Sequence, residues 1–382
     1  LRIFSLIAKL GIDTSSIRFI ASFVNQNKWN SIRLFRKKIL ILISITSIIT
    51  SAIMYFFSNI IGDLIDVEVQ YLQLASFFVL PMTFFMLHYQ CLRGLKKIAE
   101  FSFFYRMSHT TFTIVSIFII SIFIQNNNVP VYAYLTSLCI VSILSIITYQ
   151  FWFSKKAVLD SKEDIEDLTI KKILKISVPL MLAQSVQFIM AWTDKLMIGN
   201  MVSAESVAVY GVAFRFSMGV SITLMAINSI ASPKFAEKFA NNNIKGMGKI
   251  AMQSAKMIFW TTIPLASILF IFSKFFMGLY GDEFLIGIEA LRWLIIGRVV
   301  NALSGSVGNL MQMSNQQNMY MNILIIGAVI NIGLNYYLIP RYGINGAAFA
   351  SLISLSFWNL SMVYVVKRKF GFLTIYLPLM SK

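Results

Sequence analysis

The chain has 382 residues, of which 57% are hydrophobic and 13% charged. Soluble domains average about 45–50% apolar and about 25% charged, so this composition excludes a soluble globular enzyme. It also excludes a disordered chain and leaves a polytopic membrane protein.

Apolar runs long enough to span, about 20 residues each, are predicted at 39–61, 72–92, 108–125, 132–153, 176–198, 208–231, 254–275, 286–311, 319–339 and 345–366. A further run, 3–24, is interrupted by Lys9, Asp13 and Arg18 and counts as an eleventh. The runs are too long for strands and do not alternate, which predicts helices rather than a β-barrel.

The net charge of +17 points either to nucleic acid or to cations collected in cytoplasmic loops. The loops decide. Lys28, Arg33, Arg36, Lys37 and Lys38 fill 25–38, whereas 62–71 has Asp63, Asp66 and Glu68 and no cation. Arg93, Lys96, Lys97 and Arg106 mark 93–107, and Gln125 to Val131 has none. The 154–175 loop has six lysines, 199–207 has none, and the 232–253 loop and its flank carry Lys234, Lys238, Lys245, Lys249 and Lys256. The next loop has Asp282 and Glu283, with Lys274 as its flanking cation; 312–318 is uncharged, and the last turn has only Arg341. Lys367, Arg368 and Lys369 follow the last span. This alternation places the cation-rich loops and the C-terminus in the cytoplasm and removes nucleic acid as a partner. Cys91 and Cys139 lie in apolar runs, so no disulfide framework is expected. With only His88 and His109, a histidine metal site is excluded, and no signal-peptide cleavage site is expected.

The chain partly matches itself. A shift of 216 lays Ser22-Phe23-Val24-Asn25-Gln26-Asn27 on Lys238-Phe239-Ala240-Asn241-Asn242-Asn243, and a shift of 219 lays Gly62-Asp63 on Gly281-Asp282. Six spans separate each element from its copy, which predicts a parallel repeat of six-helix units. Leu1 then falls near residue 217, so the first unit is expected to lack its first helix, roughly 45 residues by the repeat. The expected organisation is all-α with two pseudo-symmetric six-helix bundles. They comprise an incomplete N-terminal lobe (1–153), a cytoplasmic connector (154–175), a C-terminal six-helix lobe (176–366) and a cytoplasmic tail (367–382).

Ionisable groups inside spans are costly and mark function by default. Gln184, Gln187 and Asp194 share one face of 176–198, with Lys195 beside them; their alternative role is interhelical bonding near the headgroups. Arg215 lies in 208–231. Arg298, Asn301, Gly305, Gly308 and Gln312 form a polar, small-residue stripe in 286–311. The glycines read as a packing seam, but a mid-depth Arg298 needs a partner or a wet cavity. Lys9 and Asp13, four residues apart, either face a cavity or pair with each other. Together with Arg292, the spans hold five cations against Asp13 and Asp194, which predicts an anionic cargo.

These features resemble the multidrug/oligosaccharidyl-lipid/polysaccharide exporter superfamily. The resemblance rests on the two six-helix halves, on Pro179, Asp194-Lys195-Leu196-Met197-Ile198-Gly199, Glu205, Tyr210-Gly211 and Arg215, and on the turn Pro340-Arg341-Tyr342-Gly343-Ile344-Asn345-Gly346-Ala347-Ala348. Within it the chain is similar to the polysaccharide transporters, the O-antigen flippases of Gram-negative bacteria. The resemblance implies a transporter, not an enzyme, in the bacterial inner membrane. Its cargo would be undecaprenyl-diphosphate-linked oligosaccharide, moved to the periplasmic leaflet by alternating access of two lobes. Membrane lipids, a polysaccharide polymerase and a chain-length regulator are the implied partners. No cofactor is implied, and Na⁺ or H⁺ coupling stays open. Two alternatives remain. A multidrug cation antiporter of the same superfamily would need acidic cavity residues. A membrane glycosyltransferase or polymerase would need a sizeable outer loop or surface carboxylates, and the outer loops here are short.

Overall fold

A computed structural model describes residues 1–65, 67–157, 165–376 and 378. Among them the chain is all helical and divides into two compact units, Leu1–Met181 and Leu182–Lys382. Asp66 and residues 158–164 of the expected connector lie outside the described residues.

Unit 1 begins with α1 (Arg2–Ala8) and α2 (Ile12–Asn25), which together make the interrupted run. The break is at Leu10 and Gly11, both at positive φ. A broken helix inside a membrane leaves carbonyls without their helical donors; here Thr46 Oγ1 donates to Ala8 O at 2.6 Å. The unit continues with α3 (Trp29–Phe56), α4 (Ser58–Ile65), α5 (Val69–Ser76), α6 (Val79–Gly94), α7 (Ile98–Ser102), a π-helical stretch (Phe103–Ser108), α8 (His109–Phe123) and α9 (Val129–Lys156). The 25–38, 93–107 and 154–175 loops meet at one end of this unit. Arg36 Nη1 donates to Gln150 Oε1, Lys38 pairs with Asp167 at 2.5 Å, Lys28 pairs with Glu166 at 3.5 Å, and the Lys97 ammonium sits on the Trp152 ring. Three loops predicted to share one side of the bilayer therefore lie together at one end of the unit.

Helix α10 (Ile170–Met201) crosses the unit boundary. Unit 2 continues with α11 (Ala204–Gly219), α12 (Ile222–Ala240), α13 (Ile244–Ile271), α14 (Ser273–Gly278), a 3-10 turn (Asp282–Gly287), α15 (Ile288–Leu303), α16 (Val307–Met313) and α17 (Gln317–Phe370). Side-chain caps start two of these helices: Ser203 accepts from Ser206 N at 3.1 Å, and Asn243 accepts from Gly246 N at 2.7 Å. Helix α17 holds two predicted runs, and non-helical Gly343 separates them.

Among the described residues, six helices are long and apolar enough to cross a membrane, and up to eight spans result if each bent pair, α5–α6 (49°) and α11–α12 (48°), is one span. The chain is a multi-pass membrane protein. The eleven predicted runs exceed these eight spans by three for local reasons. Helix α17 counts once although it holds two runs, and left-handed residues, which hydropathy does not register, divide 3–24 at Gly11 and 286–311 at Gly305.

The duplication is visible in the backbone. Asn27 (φ 55) and Asn242 (φ 54) are both left-handed, and a 28-residue helix follows each. Lys28 N donates to Phe23 O and Asn243 N to Lys238 O, both at 2.9 Å. The register here is 215, one less than the 216 read from residue types, because the turn is fixed by backbone conformation rather than by its run of asparagines. Further on, Lys96 (φ 61) matches Asn315 (φ 63), which is the predicted shift of 219.

Candidate functional site: a polar cavity in unit 2

A cavity of about 400 Å³ opens within unit 2, lined by α10, α11, α12, α15, α16 and α17. Its axis of construction is the predicted stripe. Arg298, Asn301, Gly305, Gly308 and Gln312 all face it, although the helix breaks between α15 and α16. The break is required at Gly305, which has φ +67 and would place a Cβ 2.7 Å from Thr374 O. Thr374 is buried and donates through Oγ1 to Ser304 O at 3.0 Å. Part of the expected tail, 367–382, is thus packed beneath the cavity wall.

Asp194 lines the cavity and is 4% exposed. Its carboxylate accepts from three side chains on two helices. Tyr210 Oη on α11 donates to Oδ2 at 2.6 Å, Ser351 Oγ to Oδ2 at 2.5 Å, and Asn335 Nδ2 to Oδ1 at 2.7 Å. Asn335 also donates to Asn331 Oδ1 at 3.3 Å. Asn335 and Ser351 stand on opposite sides of the Gly343 break, so one carboxylate ties α10, α11 and both parts of α17 together. Such an oxygen-rich cluster can hold a proton or a hard cation in exchange for one of its donors.

Arg298 is the cation in the cavity wall. Among the described residues no carboxylate lies within 4.0 Å of its guanidinium. It rests on the Phe214 ring at 5.3 Å, a cation–π contact that holds the side chain without neutralising it. Gln187 lines the same space and donates through Nε2 to Tyr320 Oη at 3.1 Å. Asn228, Asn309, Gln312 and Asn359 add amides, and Tyr320 and Trp358 add aromatic faces.

The structure thus brings together Gln187, Asp194, Arg298 and Asn301. It does not bring in the others. Lys195 lies over the Trp192 and Phe214 rings at 5.4 and 5.5 Å and does not line the cavity. Gln184 is half-buried outside it, and Arg215 is exposed. Arg292 is exposed, donates to Ser273 Oγ at 3.0 Å and also stands outside. The predicted excess of cations is therefore corrected: in this cavity one guanidinium faces one carboxylate. Lys9 and Asp13 belong to unit 1, where they form a buried pair at 2.7 Å. Asn331, Asn335 and Ser351 escaped the sequence reading, which weighed ionisable groups first. Two asparagines four apart inside an apolar run were the signal.

The profile of the polysaccharide biosynthesis protein family matches residues 1–239, and that of the MatE family matches 179–337. Two Haloferax volcanii proteins are similar over part of the chain. A probable low-salt glycan biosynthesis flippase, Agl15, is 26% identical over 44% of this chain and 35% of its own length. A probable flippase, AglR, is 24% identical over 47% of this chain and 38% of its own. The matches thus span little more than a third of either relative. Among solved structures, an outward-facing multidrug resistance MATE transporter has a TM-score of 0.79 at 15% identity, over 97% of this chain and 86% of that one. The Vibrio cholerae MATE transporter VcmN in its bent form has 0.79 at 12%, over 96% and 86%. A Pyrococcus furiosus transporter of the same superfamily, described as having a binding pocket of reverse polarity, has 0.74 at 17%, over 97% and 85%. The chain has the fold of a MATE-type transporter.

Proposed function

The chain belongs to the polysaccharide biosynthesis protein family, and from that premise we propose that it is a flippase for a lipid-linked oligosaccharide, working by alternating access. The observation that carries the reading is Arg298, a guanidinium with no carboxylate within 4.0 Å among the described residues, set in a wall that carries seven amides among apolar side chains. A bidentate guanidinium suits a diphosphate. Amides offer donors and acceptors to sugar hydroxyls, and Tyr320 and Trp358 offer faces on which sugar rings stack. Asp194 balances Arg298 only at a distance: the two form no ion pair within 4.0 Å, and the carboxylate is held by Tyr210, Ser351 and Asn335 instead. The probable glycan biosynthesis flippase among the relatives supports the same class of cargo, and the second probable flippase supports the same kind of transfer. The polyprenyl tail stays in the lipid. The cation-rich loops and the C-terminus face the cytoplasm, and loading occurs from that leaflet.

The test is lipid-linked oligosaccharide flipping in proteoliposomes. Arg298→Ala abolishes transfer while the protein inserts normally; full transfer by this variant refutes the assignment.

One observation favours a second reading. Asp194 is a buried carboxylate in the cavity, as a cation exporter of the same superfamily would need, and several similar solved structures are MATE transporters. Restored drug resistance in an efflux-deficient host, lost in Asp194→Asn, would support this reading over the first.

A further inference from the structure

Four lysines, Lys96, Lys97, Lys155 and Lys156, gather at one end of unit 1. The turn from α6 to α7 has a counterpart between α16 and α17. Lys97 N donates to Leu92 O at 2.9 Å, and Gln316 N to Met311 O at 3.0 Å. Both turns need a left-handed residue, which asparagine tolerates better than most side chains. Unit 2 supplies Asn315 followed by Gln316; unit 1 supplies Lys96 followed by Lys97. The backbone therefore favours an asparagine at the position where Lys96 stands.

The end of α9 completes the group. Lys97 Nζ lies 3.0 Å from the centre of the Trp152 ring, and Lys155 Nζ lies 5.4 Å from it. Lys156 follows directly. Lys96, Lys155 and Lys156 are exposed, and Lys97 is half-buried against the indole. Among the described residues no carboxylate lies within 4.0 Å of Lys97, Lys155 or Lys156. Phe151, beside Trp152, is 58% exposed. Aromatic side chains of this kind sit at the headgroup level of a bilayer, where lysines reach the phosphates.

Like charges repel when crowded, so a cluster of four is best matched by a ligand with more than one negative charge. A phosphodiester headgroup carries one; a diphosphate carries at least two. We propose that Lys96, Lys97, Lys155 and Lys156 around Trp152 form a surface site for the diphosphate headgroup of a polyprenyl lipid, with Phe151 against its chain. The site shares no residue with the cavity of unit 2, and it deepens the flippase reading, on which it rests, by giving the cargo a first docking point.

The experiment measures retention of undecaprenyl diphosphate by the full chain in phosphatidylcholine nanodiscs, read by native mass spectrometry. The background is Arg298→Ala, which disables the cavity. One lipid diphosphate is retained, and joint substitution of the four lysines by glutamine lowers retention at least tenfold. The same positions changed to arginine keep it, which separates charge from folding. Unchanged retention in the glutamine set overturns the proposal, as does equal displacement by phosphatidylglycerol, which would mark a general acidic-lipid patch. Retention does not depend on transport, so a chain that binds at the lysines but does not flip would defeat the flippase reading alone.

Discussion

Tyr210 and Asn335 hold opposite oxygens of one buried carboxylate: Tyr210 Oη donates to Asp194 Oδ2 at 2.6 Å and Asn335 Nδ2 to Oδ1 at 2.7 Å. A charge at this depth persists only when its lone pairs are occupied. Tyr210→Phe removes one charge-assisted bond and is expected to cost about 1.5–3 kcal/mol. Asp194→Asn removes the charge that all three donors share. The two changes act on one network, so their effects on thermal unfolding in detergent are expected to be less than additive. Strict additivity in a double-mutant cycle would show that the network is not a unit.

The Lys9–Asp13 pair of unit 1 calls for a different result. Both side chains are nearly fully buried, and removal of one partner leaves an uncompensated charge, at a cost of about 3–5 kcal/mol. Lys9→Met and Asp13→Leu are each expected to lower the unfolding temperature sharply. The double substitution is expected to recover most of the loss. If it recovers stability and also keeps full transport, the pair is purely structural.

The helices, the loop charges and the cavity stripe were legible in the sequence, because the first two follow from composition along the chain and the third from a helical period. That period survives the α15–α16 break, so Arg298 through Gln312 still face one cavity. What escaped it depends on neighbours that spacing does not reveal. Lys195 sits one residue after Asp194, yet a turn of about 100° takes it out of the cavity and onto Trp192 and Phe214. Arg215 is lost to the cavity in the same way. The Asp194 cluster joins α11 to two parts of α17, and no periodicity relates residues 194, 210, 335 and 351. The repeat was legible, but its register needed the left-handed turns at Asn27 and Asn242.

Arg298→Lys separates charge from shape. Lysine keeps the positive charge but loses the planar fork that grips a diphosphate, and it stacks differently on Phe214. Flipping of lipid-linked oligosaccharide is expected to fall well below wild type while remaining measurable, with Arg298→Ala lower still. Equal rates for the lysine variant and the wild type would mean that the cavity uses the charge alone. Lys195→Ala, which changes a residue outside the cavity, is expected to leave the rate within about twofold, a difference of roughly 0.4 kcal/mol.

The break at Gly305 yields the last prediction. Its left-handed conformation disfavours any side chain by about 1–2 kcal/mol, and a Cβ there would stand 2.7 Å from Thr374 O. Gly305→Ala must therefore displace the segment that holds Thr374, or shift the start of α16 and with it Gly308 and Gln312 in the cavity wall. Thr374→Val removes only the hydrogen bond to Ser304 O, a loss of about 0.6–1.7 kcal/mol for a neutral bond within a membrane protein. If the packed tail supports the cavity, Gly305→Ala lowers both the unfolding temperature and the flipping rate, and Thr374→Val lowers the temperature by a smaller amount. If the tail is only incidental packing, removing residues from Phe372 onward leaves the flipping rate unchanged. Measuring the Gly305→Ala protein with and without that segment then decides between them. Recovery of the flipping rate on truncation would locate the damage in the clash with Thr374, and persistent loss would locate it in the α15–α16 break.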